Sequence, residues 1–290
     1  MKKFIALAVL VGTSASFASD RDIFDIMYLP DPGTTYGFTT GELVQGERKS
    51  DDLGDLDADG YVIEQTIGHA FTDRFSIEGS VDYTQIEYDP EGGEEYDLSG
   101  VSDPSIQARF RTMDEKFRWD IIGGATLSFM DREVKDDNDR NNLQGGHSLF
   151  AGTQFGVKTE IMQWALAGAI IHNMKSETEF DVNGGSDVDV EDDANNELLV
   201  RGDLLNKLGN NSYLRSNVQA RFSEEFDDDQ EPEQTTPPAT VYQIGTEYQH
   251  TLSEDVMLRA GIDYQQTNVL SGQIDDVDAW VYRLGANYQF

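Results

Sequence analysis

Residues 279–290 read Ala-Trp-Val-Tyr-Arg-Leu-Gly-Ala-Asn-Tyr-Gln-Phe. Counting back in twos from the end gives Phe290, Tyr288, Ala286, Leu284, Tyr282 and Trp280, all apolar or aromatic. Between them stand Gln289, Asn287, Gly285, Arg283, Val281 and Ala279. Successive side chains leave a strand on opposite sides, so a period of two means a β-strand with unlike faces. The apolar face carries aromatics at both ends and small or aliphatic residues between. A soluble sheet hides such a face in a core. A membrane barrel turns it to lipid, with aromatics at the two interfaces.

The same alternation recurs upstream. It predicts an all-β chain of about twelve strands, each of the length a tilted membrane strand needs. The segments are 36–45, 61–71, 74–88, 104–111, 118–130, 147–158, 163–175, 197–206, 213–222, 241–249, 257–266 and 279–290. Residues 198–208 also satisfy helix propensity. Connections alternate between short (72–73, 112–117, 159–162, 207–212, 251–256) and long (46–60, 89–103, 131–146, 176–196, 224–240, 267–278). Short turns on one rim and long loops on the other build a transmembrane antiparallel up-and-down barrel. An even strand count puts both termini on the periplasmic side and the long loops outside. The segment 279–290 then closes the barrel against 36–45.

Facing supports this arrangement. Leu258, Ala260, Ile262 and Tyr264 alternate with Arg259, Gly261, Asp263 and Gln265. Trp119, Ile121, Ala125, Leu127 and Phe129 share a face opposite Arg118, Asp120, Gly124, Thr126 and Ser128. Ile106, Ala108 and Phe110 oppose Gln107, Arg109 and Arg111. A charge facing lipid at the midplane costs roughly 2–4 kcal/mol, and the mid-strand charges all take the polar face. Gln65, His69 and His172 have lipid-side parity. Aromatics mark two levels: Tyr61 with Phe71, Trp119 with Phe129, Trp280 with Phe290. A soluble β-sandwich or lipocalin-type barrel is the alternative with the same alternation, greasy side inward.

The formal net charge of −34 excludes nucleic acid as a partner, since phosphates are repelled. There is no Cys, so no disulfide framework and no thiolate metal site can form. Residues 1–18 have the form of a secretion signal: Lys2-Lys3, an apolar run from Phe4 to Val11, then small residues with Ser16 and Ala18 at −3 and −1. The apolar run is well short of the ~20 residues of a spanning helix. Residues 19–33 form an acidic arm, closed by Pro30 and Pro32, that rests on the periplasmic rim or enters the lumen. The barrel takes residues 34–290. The expected place is the bacterial outer membrane, with its lipid bilayer as partner.

The polar face is the candidate lumen lining. Its basic members are Arg109, Arg111, Lys158, Arg201, Arg215, Arg221, Arg259 and Arg283, and its acidic members include Glu78, Asp82, Asp120 and Asp263. Two readings stand. The charges can pair across strands and fill the barrel, or the Arg residues can line a path for small polar or weakly polar solutes. A barrel of this size falls between filled small barrels and open porins. The loops are acidic: Asp136-Asp137-Asn138-Asp139, 187–193 and 224–233. They read as a solvated surface, or as oxygen ligands for divalent cations. Residues 137–141 open like a calcium loop, but Asn142 and Ser148 stand where that loop needs Gly and Glu. The acidic field also concentrates cations at the mouth. Catalysis has little to stand on: four His, no Gly-x-Ser-x-Gly and no His-Glu-x-x-His, with His172 near Ser176 the best constellation. No catalytic residue, metal or cofactor is expected.

Two resemblances add to this reading. The final segment resembles the terminal strand of bacterial outer-membrane barrels, which end in Phe as a signal to the barrel-assembly machinery. Phe290 would carry that signal here. Gly100-Val101-Ser102-Asp103-Pro104-Ser105-Ile106-Gln107-Ala108-Arg109-Phe110-Arg111 resembles a recurring segment of the outer-membrane family named after the meta-pathway of phenol degradation. It has a Gly-x-x-Asp strand start, an alternating strand and a Phe-Arg end before a short turn. The resemblance covers about residues 100–130. It implies a barrel that transports small, often hydrophobic, molecules and fixes no substrate or catalytic residue. The acidic outer loops depart from many members.

Overall fold

The computed structural model of the chain describes residues 26–27, 29–48, 55–91, 95–114, 116–130, 132–134, 140–143, 145–159, 161–180, 188–224, 226–227, 235–236, 239–253, 255–269 and 277–290. Its strands are β1 (Thr35–Arg48), β2 (Leu56–Thr72), β3 (Phe75–Pro90), β4 (Tyr96–Val101), β5 (Ser105–Asp114), β6 (Phe117–Thr126), β7 (Arg132–Val134), β8 (Arg140–Asn141), β9 (Ser148–Lys158), β10 (Met162–Asn173), β11 (Ser176–Phe180), β12 (Val188–Asp192), β13 (Asn195–Lys207), β14 (Ser212–Ser223), β15 (Phe226–Asp227), β16 (Thr235–Thr236), β17 (Ala239–Ser253), β18 (Val256–Val269) and β19 (Val277–Gln289). A closed antiparallel barrel of 12 strands takes β1, β2, β3, β5, β6, β9, β10, β13, β14, β17, β18 and β19. Closure joins β1 to β19 from Tyr36↔Gln289 to Arg48↔Val277. Every backbone donor and acceptor along the seam is thereby paired, which a strand edge in lipid requires.

The outside is apolar and exposed. Leu43, Ile63, Ile67, Ile121, Leu166, Ile170, Ile244 and Leu284 face outward with large exposed surface, Leu284 at 70%. Exposed aromatics gather at two heights. Tyr61, Tyr83, Tyr242, Trp280 and Tyr282 lie toward the long-loop rim. Phe71, Phe110, Phe117, Trp119, Tyr248 and Phe290 lie toward the short-turn rim. Charged residues such as Arg109, Asp120, Arg215 and Asp263 are buried inside. An inverted arrangement of this kind, apolar skin over a charged interior, is stable in lipid and not in water. The soluble alternative is thereby set aside. Gln65 is reconciled with its outward parity by cross-strand bonds. It accepts from the Thr39 hydroxyl at 2.7 Å and donates to the Tyr288 hydroxyl at 2.8 Å.

Aromatic rings lie over glycines at the seam. Tyr36 is directly opposite Gly68 on the inner face, and Tyr288 opposite Gly37 on the outer face. A Cβ on either glycine would run into the ring. Ring and bare backbone thus interlock across neighbouring strands, as in the aromatic rescue of strand glycines.

The structure adjusts several sequence expectations. The strand expected over 118–130 ends at Thr126, because its neighbour ends at Ser105, where Pro104 has no N–H to extend the ladder. Leu127 makes one last bond, donating to the Pro104 carbonyl at 3.0 Å. The connection 89–103 is not all loop, since β4 continues the wall beside β3. Gly100, one residue from the end of β4 and paired with Thr84, has φ 131°, a conformation open to glycine. Ser102 then clips to Asp82: its N–H donates to the Asp82 carbonyl at 2.8 Å and its hydroxyl to Oδ1 at 2.6 Å. The connections 131–146 and 176–196 supply β7, β8, β11 and β12. These form a collar in which β8 runs parallel to β4, and β7 parallel to β11. Residues 198–207 are strand, because pairing with β10 and β14 on both sides overrides helix propensity. The segment expected as a secretion signal, 1–18, and residues 137–139 of the partial calcium loop at 137–141 lie outside the described residues.

Candidate functional site: the barrel lumen

Strand parity delivers the polar side chains inward, and register decides which meet. Toward the short-turn rim, Arg111 on β5 stands directly opposite Asp120 on β6. Its Nε donates to Asp120 Oδ1 at 2.8 Å and Nη2 to Oδ2 at 3.1 Å. Arg109 reaches the same carboxylate at 3.6 Å, with both side chains fully enclosed. Beside them Glu78 accepts from the Tyr36 hydroxyl at 2.6 Å and from Gln107 Nε2 at 2.8 Å.

A second network crosses β13 to β1. Asp203 accepts from Arg201 at 3.0 Å and from Arg215 at 2.7 Å. Arg221 pairs with Glu197 and Arg283 with Asp263. Arg259 lies 3.8 Å from Glu247 and donates to the Thr40 hydroxyl at 2.8 Å. Glycines open the room for these groups. A Cβ on Gly245 would strike the Asp263 carboxylate, and one on Gly285 would sit 3.2 Å from an Arg259 guanidinium nitrogen.

The remaining wall is different. On β6, β9, β10 and β13 the inner face carries Ile122, Gly152, Ala165, Ala167, Ala169 and Leu199. The lumen therefore has one charged side and one lined with small and apolar residues. The arm ahead of β1 rests on the apolar side near the short-turn rim. Ile26 and Met27 pack with Ala165, Leu205 and Tyr213. The Ile26 N–H donates to Gln163 Oε1 at 3.1 Å, and Arg111 donates to the Met27 carbonyl. Leu29 and Pro30 are also buried, and Gly33 then leads into β1 by donating to the Ala70 carbonyl at 2.7 Å.

Of the residues singled out in the sequence, Arg109, Arg111, Arg215, Arg221, Arg259, Glu78, Asp120 and Asp263 are buried inside. Arg201, Arg283 and Asp82 are half-buried, and Lys158 is exposed at the end of β9 on the short-turn rim. Asp82 accepts from Ser102, from Thr84 at 3.2 Å and from Asn142 Nδ2 at 3.1 Å. Glu42 was not among the candidates, yet it is half-buried on the inner face, directly opposite Arg283. The alternation of 36–45, with Tyr36, Thr40 and Glu42 on one parity, is the signal that finds it. Three of the four histidines stay on the outer surface in cross-strand pairs. His69 Nδ1 lies 3.0 Å from the Thr35 hydroxyl, His250 Nδ1 3.0 Å from that of Ser212, and His172 Nδ1 2.9 Å from Asn196 Oδ1. Among the described residues no group of His, Cys, Asp or Glu is placed to hold a metal ion.

No family model and no curated protein matches the chain. Solved structures do. An outer membrane channel from Pseudomonas putida F1 superposes with a TM-score of 0.68 at 12% identity, covering 91% of this chain and 97% of that one. The translocator domain of the autotransporter NalP from Neisseria meningitidis gives 0.50 at 11%, covering 90% of each chain. The beta domain of the Bordetella autotransporter BrkA gives 0.50 at 16%, covering 90% and 100%. At such identities the likeness is one of fold, and the fold is that of the outer-membrane β-barrels.

Proposed function

We propose that this protein is an outer-membrane channel for passive passage of small polar or weakly polar solutes. The observation that carries the reading is the half-buried state of Glu42, Glu64, Asp82, Arg201 and Arg283 on the inner wall. A lumen filled to its axis would enclose these charges as fully as it encloses Arg109 and Asp120. Water-reachable charge inside a lipid-facing wall is what a solute path requires. The similarity in fold to an outer membrane channel agrees with it.

The finer parts of the reading follow. Residues 1–18 direct secretion, and Phe290 is offered to the assembly machinery. The chain joins the phenol meta-pathway family through residues 100–111, the joint between β4 and β5. The protein performs no catalysis, in keeping with histidines held by neutral neighbours on the outer face. The test is planar-bilayer recording and liposome swelling with the refolded protein. Discrete conductance steps and swelling in small sugars are expected; a silent bilayer and no swelling would remove the channel reading.

A second reading has one observation in its favour. On the outer face above the aromatic level, Asp57 stands opposite Asp89 and Asp59 opposite Glu87. Like charges facing across strands are unfavourable, and divalent cations drawn to the acidic mouth would relieve them. A chelator that leaves melting and loop proteolysis unchanged would count against any such role.

A further inference from the structure

Six inner-face residues meet in one row of direct cross-strand partners. Ala167 on β10 pairs with Arg201 on β13, Arg201 with Gln219 on β14, Gln219 with Gln243 on β17, Gln243 with Gln265 on β18, and Gln265 with Ala279 on β19. Barrel strands are tilted, so a row along the hydrogen bonds climbs the wall like a stair. It passes from the middle of β13 at Arg201 to near the long-loop end of β18 at Gln265. Three consecutive rungs are thus side-chain amides, each half-buried and so within reach of water.

These amides differ from other glutamines of the wall. Gln107, Gln163 and Gln249 are buried, and they bond to Glu78, to the Ile26 N–H and to Glu247. Gln219 donates to Gln243 Oε1 at 3.5 Å, longer than the roughly 2.7–3.2 Å of an ordinary bond. Among the described residues, the Gln219 and Gln243 side chains make no other bond. Their remaining donors and acceptors are available to a solute. The row is also without net charge, since the amides are neutral and Arg201 is held by Asp203. An amide offers a donor and an acceptor side by side, and so matches a hydroxyl, which is both at one atom. Neighbouring rungs are about 4.8 Å apart, the strand spacing, so three of them reach about 10 Å, the length of a disaccharide.

From this row we propose, resting on the channel reading, that the lumen holds a subsite for neutral, hydroxyl-rich solutes such as small sugars, with Gln219, Gln243 and Gln265 as its hydrogen-bonding rungs. A sugar passing the row exchanges one amide for the next while its hydroxyls stay bonded. Each net bond is weak enough to be given up at the following step, and several weak sites in series are what conduction requires. An ion finds no partner of opposite charge on these rungs.

The experiment titrates maltose into the full chain refolded in lauryldimethylamine oxide, a detergent without a sugar headgroup, and reads the heat. In parallel, maltose is added to planar bilayers holding the protein, and block of the current is read. Wild type should give saturable heat and a block that grows with concentration. Q219M/Q243M keeps the side-chain length and removes both amides, so maltose should bind it at least roughly tenfold more weakly, the loss of two net hydrogen bonds. A polyethylene glycol of equal size, with ether oxygens in place of hydroxyls, should bind neither form. No heat from maltose in wild type overturns the subsite, as does equal binding by Q219M/Q243M or by the polymer. Saturable heat with a silent bilayer supports the subsite and removes the channel reading; conductance without maltose heat does the reverse. Should the double variant not refold, Q219M and Q243M singly decide.

Discussion

The side-chain oxygen of Gln163 accepts the backbone N–H of Ile26 at 3.1 Å. Together with the bond from Arg111 to the Met27 carbonyl, it fixes where the arm rests against the lumen wall. Met27, the next residue, lies on Gly156, where any Cβ would meet its sulfur. Gly156→Val should lift Met27 away, and deletion of 19–33 should remove the obstruction. Both are expected to raise single-channel conductance, with Gln163→Ala giving a smaller rise. Conductance unchanged by the deletion would show that the arm does not narrow the path.

Asp203 is the hub of its network, accepting from two arginines while almost wholly enclosed. Asp203→Asn leaves Arg201 and Arg215 facing each other without their counter-charge. Removing one partner of a buried ion pair costs about 3–5 kcal/mol, so the urea midpoint of the refolded barrel should fall clearly. The Lys175–Asp193 pair, 2.8 Å apart but with side chains 56% and 28% exposed, is the contrast. Lys175→Ala should change stability by no more than about 1 kcal/mol.

Leu284 is among the most exposed apolar side chains and sits midway along the last strand. Leu284→Arg should cost roughly 2–4 kcal/mol in a bilayer and cut the yield of folded protein in membranes. In a water-soluble barrel the same change would be harmless, so an unaffected variant would speak against the lipid-facing assignment.

Asp57→Asn removes one of two like charges that face each other across β2 and β3. The gain expected is about 0.2–1 kcal/mol, the scale of cross-strand pairs. It should shrink as salt is added, because these groups are exposed. Equal stability at all salt concentrations would mean that the facing carboxylates are not in tension.

The barrel was legible because lipid imposes a strict period of two, and charges such as Arg259 and Asp263 fall on one parity without exception along their strand. On β10 the rule is silent: Trp164, Ala165, Leu166, Ala167, Gly168, Ala169 and Ile170 are apolar on both faces. The apolar side of the lumen was therefore hidden in the sequence. The arm's landing was hidden too. Ile26 and Met27 have no periodicity to read, and their seats, Gly156 and Gln163, are ordinary strand residues until the barrel closes. The collar is built of strands of two to six residues, too short to show alternation. As for the lumen charges, residue types revealed which would be inside. Only register revealed that each arginine has a carboxylate and that Glu42 lies opposite Arg283.

The rings over glycine at the seam have a mechanical consequence. Tyr288 is fastened to β1 and β2 from the lipid side, through Gly37 and Gln65. Tyr36 is fastened to β2 and β3 from within, through Gly68 and Glu78. The first and last strands, the farthest apart in sequence and the costliest to bring together, are thus riveted from the lipid side, and the first strand is riveted to its next two neighbours from within. Parting this junction would therefore cost the Tyr288 contacts as well as the ladder from Tyr36↔Gln289 to Arg48↔Val277.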